Sequence, residues 1–324
     1  MQTPLLSVCI PTYTRAHHLK NALESILHQL KDSPNLVPLI EVVVSDNAST
    51  DNTSEIVTHY KNLIPNFVYS RNNQNIGFDL NTLNAVKHAT GTYCWYLGDD
   101  DTIVNGALKT VVEICKVHTP DIGGTNLEAL TGKSDWKKVR TYSPDDIIVM
   151  NDFKQYYYNG YCQGTLSALL FRRDKWLEVV PHKNFIEGWL YYETVLRLLG
   201  RSKKQFFVKK PTVMAGADCR WAENGGELFT YLNSNTIRRR MLTWGFDTSY
   251  IKDELLRSEQ QILIFLLRAK GHGLRCTLAN LRFMWINMYN LSPIKIFLAL
   301  LIFITPNSFV RLVRDSLKRM KSAL

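Results

Sequence analysis

The feature that most restricts the fold is an alternation of short apolar runs with helical patterns, repeated four times in about the first hundred residues. The apolar runs are typical of buried β-strands, and the segments between them carry apolar residues at helical spacing. Strands that alternate with helices build a parallel sheet, because each helix crosses one face of the sheet to reach the next strand. The sequence therefore predicts an α/β fold with a doubly wound, mostly parallel sheet. The predicted strands are 5–11, 40–45, 67–70 and 91–97.

Three consecutive aspartates, Asp99, Asp100 and Asp101, follow the fourth predicted strand. In an open α/β sheet, ligands bind outside the carboxyl ends of the strands. Hard cations such as Mg²⁺ or Mn²⁺ take carboxylate oxygens together with water and phosphate oxygens. The cluster thus indicates a site for a metal and a diphosphate. The residues alone leave open a solvated turn, or a cap by Asp101 for the helix that follows.

Four segments together resemble the ordered signature of the family 2 glycosyltransferases of the GT-A fold. They cover roughly residues 5–115 and stand in the order and at the spacing of that family. The resemblance implies a Rossmann-like sheet that binds a nucleotide sugar and a divalent metal, Mg²⁺ or Mn²⁺, and transfers the sugar with inversion. The segments are VCIPTYTR at 8–15, VVSDNASTD at 43–51, NNQNIGF at 72–78 and LGDDD at 97–101.

The resemblance also assigns roles to residues. Thr12 and Tyr13 match positions that meet the nucleotide base, and Asp46 matches the carboxylate that hydrogen-bonds it. Asp99 and Asp100 match the ribose-side and metal-side members of the acidic motif, with Asp101 as a candidate second metal ligand, although Gly98 stands where the commonest form has its first Asp. The donor-binding residues implied in this way are Pro11, Thr12, Tyr13, Arg15, Asp46, Asn47, Arg71, Asn75, Gly77 and Asp99.

Each of these residues has an ordinary alternative when it is taken alone. Tyr13 could pack against the strand end, Asp46 could cap a helix, and Gly77 could be a turn glycine. Arg71 could be a surface charge. Only the four segments together favour the binding roles.

Inverting transfer needs a general base that removes the proton from the acceptor hydroxyl. In the family this base is a carboxylate, often in a Glu-Asp pair that leads a helix with an Arg near its end. The segment 185–197 occupies that place without the paired Asp. The sequence favours Glu187, at the helix entrance, followed by Glu193. A Gly-rich stretch at 218–226 is either a lid over the donor or an ordinary loop.

The last quarter of the chain has a different character. The chain has a formal net charge of +10, and residues 250–324 hold twelve Lys and Arg against four Asp and Glu. The apolar run 294–304 is shorter than the roughly 20 residues that span a bilayer. The basic amphipathic segment 309–321 is typical of a helix lying in an anionic membrane interface. A helical bundle that covers the core or forms an oligomer contact is the alternative.

These observations predict a glycosyltransferase domain at 1–230 and a helical, membrane-associating region at 231–324. Within the first domain, 1–120 is expected to bind the nucleotide sugar and 121–230 the acceptor. Six widely spaced cysteines indicate free thiols of a reducing compartment, and the chain passes directly into a strand pattern without the features of a signal peptide. We therefore expect a cytoplasmic protein, peripheral on the inner face of the cell membrane.

The leading functional hypothesis is an inverting transferase that adds a hexosyl or deoxyhexosyl unit to a lipid-linked oligosaccharide in bacterial surface-polysaccharide (O-antigen or capsule) assembly. A metal-dependent nucleotidyltransferase is an alternative, but segment 11–18 is not the Gly-rich basic loop that we would expect there. A nonenzymatic protein that binds nucleic acid or other anions is suggested by the charge alone. Its basic residues would be expected to run through the aromatic region too. We therefore expect no nucleic-acid partner.

Overall fold

The computed structural model describes residues 3–129, 135–216, 226–288 and 291–312. The chain forms two compact units, Met1–Asp218 and Cys219–Leu324. The domain boundary predicted at residue 230 falls within the helix Gly226–Met241. Most of the Gly-rich stretch 218–226, and the basic amphipathic segment beyond residue 312, lie outside the described residues.

The first unit alternates strands and helices as far as β4, and three short 3₁₀ helices interrupt it at Pro34–Leu39, Pro144–Asp146 and Leu166–Ala168. Its strands are β1 (Leu6–Thr12), β2 (Ile40–Asp46), β3 (Phe67–Arg71), β4 (Tyr93–Tyr96), β5 (Thr102–Ile103), β6 (Ile122–Ala129), β7 (Ile147–Met150), β8 (Leu169–Arg172) and β9 (Gln205–Ala215). Its helices are α1 (Ala16–Asp32), α2 (Thr53–Lys61), α3 (Phe78–His88), α4 (Ala107–His118), α5 (Phe153–Tyr158), α6 (Arg173–Val179) and α7 (Leu190–Leu199).

In the described part of the chain, these strands form one sheet in the order β3-β2-β1-β4-β8-β6-β9-β5, and β7 also pairs with β9. Strands β1 to β4 pair in parallel. Strand β8 runs antiparallel to both β4 and β6, and β9 is parallel to β6 but antiparallel to β5 and β7. The predicted α/β class is confirmed. The sheet is parallel in its first half and mixed in its second.

Strands β1 and β2 are buried along their whole length, as expected for central parallel strands covered by helices on both faces. Trp95 and Leu97 lie in the same core as the apolar faces of α1 and α4. The register aligns Thr12 of β1 with Asp46 of β2, and Asp46 with Arg71 of β3. The carboxyl ends of the parallel strands therefore meet at one edge of the sheet.

The second unit is helical in its described residues, with α8 (Gly226–Met241), α9 (Thr248–Gly271), α10 (Leu278–Met288) and α11 (Pro293–Ile304). Its core contains Leu232, Leu266, Met284 and Phe303. Helix α11 buries Ala299 and Phe303 but leaves other apolar side chains exposed. Among the described residues, no helix combines the length and the apolar character needed to cross a membrane.

Candidate functional site

The candidate site is formed by the loops that follow β1, β2, β3 and β4. Asn47 continues β2 and donates its backbone N–H to the carbonyl of Thr12 at 2.9 Å, and Leu97 N donates to Cys9 O at 3.0 Å. The first residues after β2 and β4 are thus joined to strand β1 by backbone hydrogen bonds. The segments that the sequence singled out over a span of about ninety residues converge at one sheet edge.

Asp99 is held between the first and fourth loops. Its carboxylate accepts hydrogen bonds from Thr12 Oγ1 at 2.8 Å and from Arg15 Nη1 at 2.7 Å. The second guanidinium nitrogen of Arg15, Nη2, lies 3.3 Å from Oδ2 of Asp100. Arg15 therefore bridges two neighbouring carboxylates, and a planar guanidinium with its fixed fork of donors is suited to such a bridge.

Asp101 has a different position. One oxygen accepts from the backbone N–H of Gly216 at 2.8 Å, and the other accepts from the hydroxyl of Ser167. Helix α4 begins at Ala107 without a side-chain cap, so the structure does not support Asp101 as its cap. Both oxygens are engaged in joining the acidic loop to the 3₁₀ turn at Leu166–Ala168 and to the end of β9. A metal-binding role for Asp101 remains a prediction.

The acidic cluster is electrostatically crowded. Burial raises the pKa of Asp99 to about 6, although Arg15 and Thr12 oppose the shift and the charge of Asp100 adds to it. Burial likewise raises the pKa of Asp101 to about 6, and the charges of Asp100 and Asp99 add to the shift against hydrogen bonds from Ser167 and Gly216. When ionised, these neighbouring carboxylates repel one another. A bound cation would reduce that repulsion.

A metal ion implied by the family can be tested against these donors. Among the described residues, no group of three or more His, Cys, Asp and Glu side chains is arranged to hold a metal by itself. Asp100 is partly exposed, with 17% of its side chain accessible. Because Mg²⁺ is commonly held by one or two carboxylates, with water and substrate phosphates at its other positions, the donor chemistry of Asp100 fits such an ion.

At the end of β2, Asp46 is completely buried. One carboxylate oxygen accepts from the backbone N–H of Ser49 and the other from the hydroxyl of Tyr69, each at 2.8 Å. Arg71 lies near the same carboxylate, with its Nε 3.6 Å away, and donates from Nη2 to the carbonyl of Ser49 at 2.7 Å. The structure thus gives Asp46 a loop-holding role, and its contact with a base remains a prediction.

Asn47 organises the loop after β3. Its side-chain oxygen accepts from Ile76 N at 2.9 Å, and its nitrogen donates to Asn75 Oδ1 at 2.7 Å and to Gly77 O at 3.3 Å. Gly77 has φ +85°, a left-handed conformation that glycine adopts readily. Asn75 and Gly77 remain exposed at the sheet edge, as a role in ligand binding requires.

The loop after β1 is partly strained and partly open. Thr14 has a positive φ of 52°, and Ala48 in the neighbouring loop has one of 64°. Such conformations in non-glycine residues are uncommon and cluster at ligand sites. Tyr13 is 43% exposed, which leaves its ring available for stacking. Pro11, in contrast, is buried in β1 and can act only through the shape of the strand end.

The two candidate bases are in opposite environments. Glu187 is exposed in the loop before α7. Glu193 is completely buried, with Oε1 paired to Arg197 Nη2 at 2.8 Å and Oε2 accepting from Ile186 N at 3.4 Å. Packing of α7 turns the side chain of Glu193 inward, so in this conformation Glu187 is the carboxylate open to an acceptor hydroxyl. The role of Glu193 as an alternative base stays a prediction.

Two residues of the site were missed by the sequence reasoning. Ser167 donates to Asp101 and accepts from the backbone N–H of Gly98 at 2.7 Å, and no local pattern marks it. Asp79, just after the segment 72–78, accepts hydrogen bonds from the backbone N–H groups of Gly188, in the loop of Glu187, and Leu190, at the start of α7. Its acidic side chain in the first turn of α3 was a signal that could have been noticed.

Comparison with known proteins identifies the family. The model of glycosyl transferase family 2 matches residues 7–174. The chain is 31% identical over 188 residues to the abequosyltransferase RfbV of Salmonella typhimurium, which covers 53% of this chain and 54% of that protein. It is 34% identical over 112 residues to a GalNAc(5)-diNAcBac-PP-undecaprenol β-1,3-glucosyltransferase of Campylobacter jejuni, covering 34% of each chain. The chain thus spans about half the length of the first relative and about a third of the second.

Solved structures share the fold at low sequence identity. A crystal structure of residues 1–349 of Staphylococcus aureus TarS has a TM-score of 0.58 and 18% identity, covering 93% of this chain and 80% of that one. The mannosyltransferase PcManGT from Pyrobaculum calidifontis, in complex with GDP-Man and Mn²⁺, has a TM-score of 0.53 and 17% identity, covering 96% and 88%. With the family model extending over half of the sequence, the chain belongs to glycosyl transferase family 2.

Proposed function

We propose that the protein is an inverting glycosyltransferase that moves a hexosyl or deoxyhexosyl unit from a nucleotide sugar to a lipid-linked oligosaccharide. One observation carries the proposal: the four loops after β1 to β4 meet at the carboxyl edge of the parallel strands. An exposed aromatic ring, a hydrogen-bonded Asn-Gly loop and an acidic cluster lie together there. These features suit the base, the ribose and the diphosphate of a nucleotide sugar, which binds at such a sheet edge.

On the donor side, Tyr13 stacks on the base, and Asp46 with Asn47 defines the base pocket. Arg71 and the loop 75–77 lie toward the ribose and diphosphate, and Asp99 toward the ribose. Arg15 holds Asp99 and Asp100 in a fixed relative position, so that both carboxylates are preorganised before the donor arrives.

Asp100 is the residue that would hold the divalent metal, with Asp101 as a second candidate. When bound, Mg²⁺ or Mn²⁺ offsets the negative charge that develops on the departing diphosphate. Support comes from the carboxylate chemistry of the cluster and from the fold-related PcManGT, whose structure contains Mn²⁺.

In the transfer step, the acceptor hydroxyl oxygen forms a bond to the anomeric carbon while the bond from that carbon to the diphosphate oxygen breaks. The acceptor proton passes to a base, for which Glu187 is the favoured carboxylate. Its exposure in the loop before α7 allows contact with an acceptor. Attack from the face opposite the leaving group inverts the configuration at that carbon.

A membrane-bound acceptor is supported by a relative and by the second unit. The Campylobacter relative is named for a PP-undecaprenol substrate. On α11, Ile294, Phe297, Leu301 and Ile304 are exposed at the spacing of a single helical face. We place this face in the interface of the cytoplasmic leaflet, which makes the enzyme peripheral on the inner membrane surface and brings it to the growing surface polysaccharide.

The decisive experiment incubates the purified protein with a panel of nucleotide sugars, with and without Mn²⁺, and measures release of nucleoside diphosphate. We expect metal-dependent release with one donor. Asp100→Asn should reduce that release on the order of 100-fold or more, since it removes the carboxylate charge that holds the metal. The matched control is Asp145→Asn, an exposed aspartate in the 3₁₀ turn at Pro144–Asp146, which should retain full activity. Absence of metal-dependent release with every donor would refute the proposal.

A further inference from the structure

A single buried carboxylate connects the donor side of the unit with the loop of the candidate base. Asp79 lies in the first turn of α3 and is 6% exposed. One of its oxygens accepts from Gly188 N at 2.6 Å and the other from Leu190 N at 3.0 Å, across separations of 109 and 111 residues. Both backbone donors flank the start of α7. Asp79 therefore fixes the entry of this helix from another part of the chain.

On the donor side, this connection is held by hydrogen bonds. Helix α3 begins at Phe78, directly after Gly77, and Asn81 N donates to the carbonyl of Gly77 at 3.2 Å. The loop 75–77 is held by the side chain of Asn47, as described above. Hydrogen bonds thus join the end of β2 to the loop proposed to meet the diphosphate, and Asp79 lies in the first helical turn that directly follows this loop.

The acceptor side depends on this contact for its conformation. Gly188 has φ +79°, and this turn directs its N–H to Asp79. Glu187, one residue earlier, is near enough to affect Asp79. Burial raises the pKa of Asp79, its hydrogen bonds from Gly188 and Leu190 oppose the shift, and the charge of Glu187 adds to it. Farther along, the hydroxyl of Tyr191 donates to Gly164 O at 2.7 Å. Asp79 thus holds the loop of Glu187, and Tyr191 holds the first turn of α7 that follows it.

We propose that Asp79 is a positioning residue for transfer: it ties the Glu187 loop to the donor-binding loop, so that the base is placed relative to the bound donor. The inference rests on the proposed function, because it takes Glu187 as the base and the loop 75–77 as part of the donor site. Asp79 itself touches neither donor nor acceptor. It acts through the backbone of Gly188 and Leu190.

The structural test is hydrogen–deuterium exchange of the backbone amides of Gly188 and Leu190 in the full chain. In Asp79→Asn, one amide loses its acceptor because the new NH₂ group can only donate, and we expect its exchange to be roughly tenfold faster or more. Asp145→Asn, the exposed control, should leave both amides unchanged. Unchanged exchange in Asp79→Asn overturns the inference.

The kinetic test uses the nucleotide sugar found in the donor panel, with water as the acceptor, and measures turnover and the affinity for the corresponding nucleoside diphosphate separately. We expect Asp79→Asn to lower kcat about tenfold while the nucleotide Kd changes by less than about twofold. In a Glu187→Gln background the same substitution should have little further effect, because both changes act on one group. Multiplicative effects, or an equal loss of nucleotide affinity, overturn the positioning role.

These outcomes separate the inference from the proposed function. If the wild-type protein releases no nucleoside diphosphate from any donor, the proposed function fails, and the positioning role fails with it. If the wild type is active and Asp79→Asn matches it in kcat, only the positioning role is refuted. Retention of kcat in Asp79→Glu, which keeps two acceptor oxygens, would support the role of the carboxylate.

Discussion

The two compact units differ in how much apolar side-chain surface they expose. In the first unit, Phe171 is completely buried and packs against Trp176 and Tyr96, with ring centroids 5.2 Å from each. In the second, Phe297 on α11 is 60% exposed, and Ile294 is 72% exposed. The apolar residues of the first unit thus support a polar site at the sheet edge. In the described part of the second unit, many apolar side chains are exposed at the surface.

Because of this difference, we expect the buried apolar residues to stabilise the fold and the exposed ones to form an interaction surface. Contiguous exposed apolar surface is uncommon on soluble monomers and marks interaction surfaces. Helix α11 has apolar residues on two faces, one in the core with Ala299 and Phe303 and the other outward. Substitutions of the same chemical kind should therefore affect stability in the first unit and binding in the second.

The largest expected effect is on Phe171. We expect Phe171→Ala to lower the free energy of unfolding by about 3–5 kcal/mol, because a fully buried aromatic ring is replaced by a cavity. Denaturant unfolding measures the change. A loss below 1 kcal/mol would mean that this part of the core is not packed as described.

Phe297→Ala is the matched change in the second unit. We expect a stability change within about 0.5 kcal/mol, but a loss of about 1.5–3 kcal/mol in binding to anionic lipid vesicles, the range for burial of one large apolar side chain. Vesicle flotation measures the binding. Unchanged flotation together with a change in molecular mass in solution would assign the face to contacts between copies of the chain.

Ser167→Ala tests whether the two hydrogen bonds of Ser167 stabilise the acidic loop. The substitution leaves the backbone N–H of Gly98 and one oxygen of Asp101 without their partner, and unpaired buried groups cost about 1–3 kcal/mol. We expect a stability loss in that range, measured by thermal or denaturant unfolding. If stability is unaffected, Ser167 does not hold the loop.

Gly188→Ala tests the turn at α7 and should have the smallest effect. Gly188 has φ +79°, and among the described residues no atom lies within 4 Å of the added methyl group. The expected cost is therefore that of backbone strain, about 1–2 kcal/mol. Gly164→Ala is the control, since its new methyl group would meet Trp189 and Tyr192 at 3.7 Å or more. Equal stability of both variants would contradict the strained turn.

The parallel half of the sheet was predictable because its signals are local. Runs of Val and Ile, and the polar residues that end them, specify strands and exit loops without reference to distant residues. Strands β5 and β7 to β9 were harder, since β8 is only four residues long and its place between β4 and β6 depends on pairing across long separations.

The site residues also differ in whether their positions can be predicted from the local sequence. For residues at strand ends, such as Tyr13, Asp46 and Asp100, a common location could be predicted because a parallel sheet brings those ends to one edge. The burial of Glu193 could not be found, because helical spacing alone did not reveal which face of α7 packs inward. The contact between Asp79 and Gly188 joins residues that no local pattern relates.

The ion pairs of Arg15 predict how the protein responds when divalent ions are removed. Its guanidinium lies between Asp99 and Asp100, so the protein carries its own counter-ion for the acidic loop. The fold should therefore survive chelation, with the protein still folded in EDTA at room temperature. A single preparation could then be stripped and reloaded with different divalent ions, and their effects on donor affinity compared without repeated refolding.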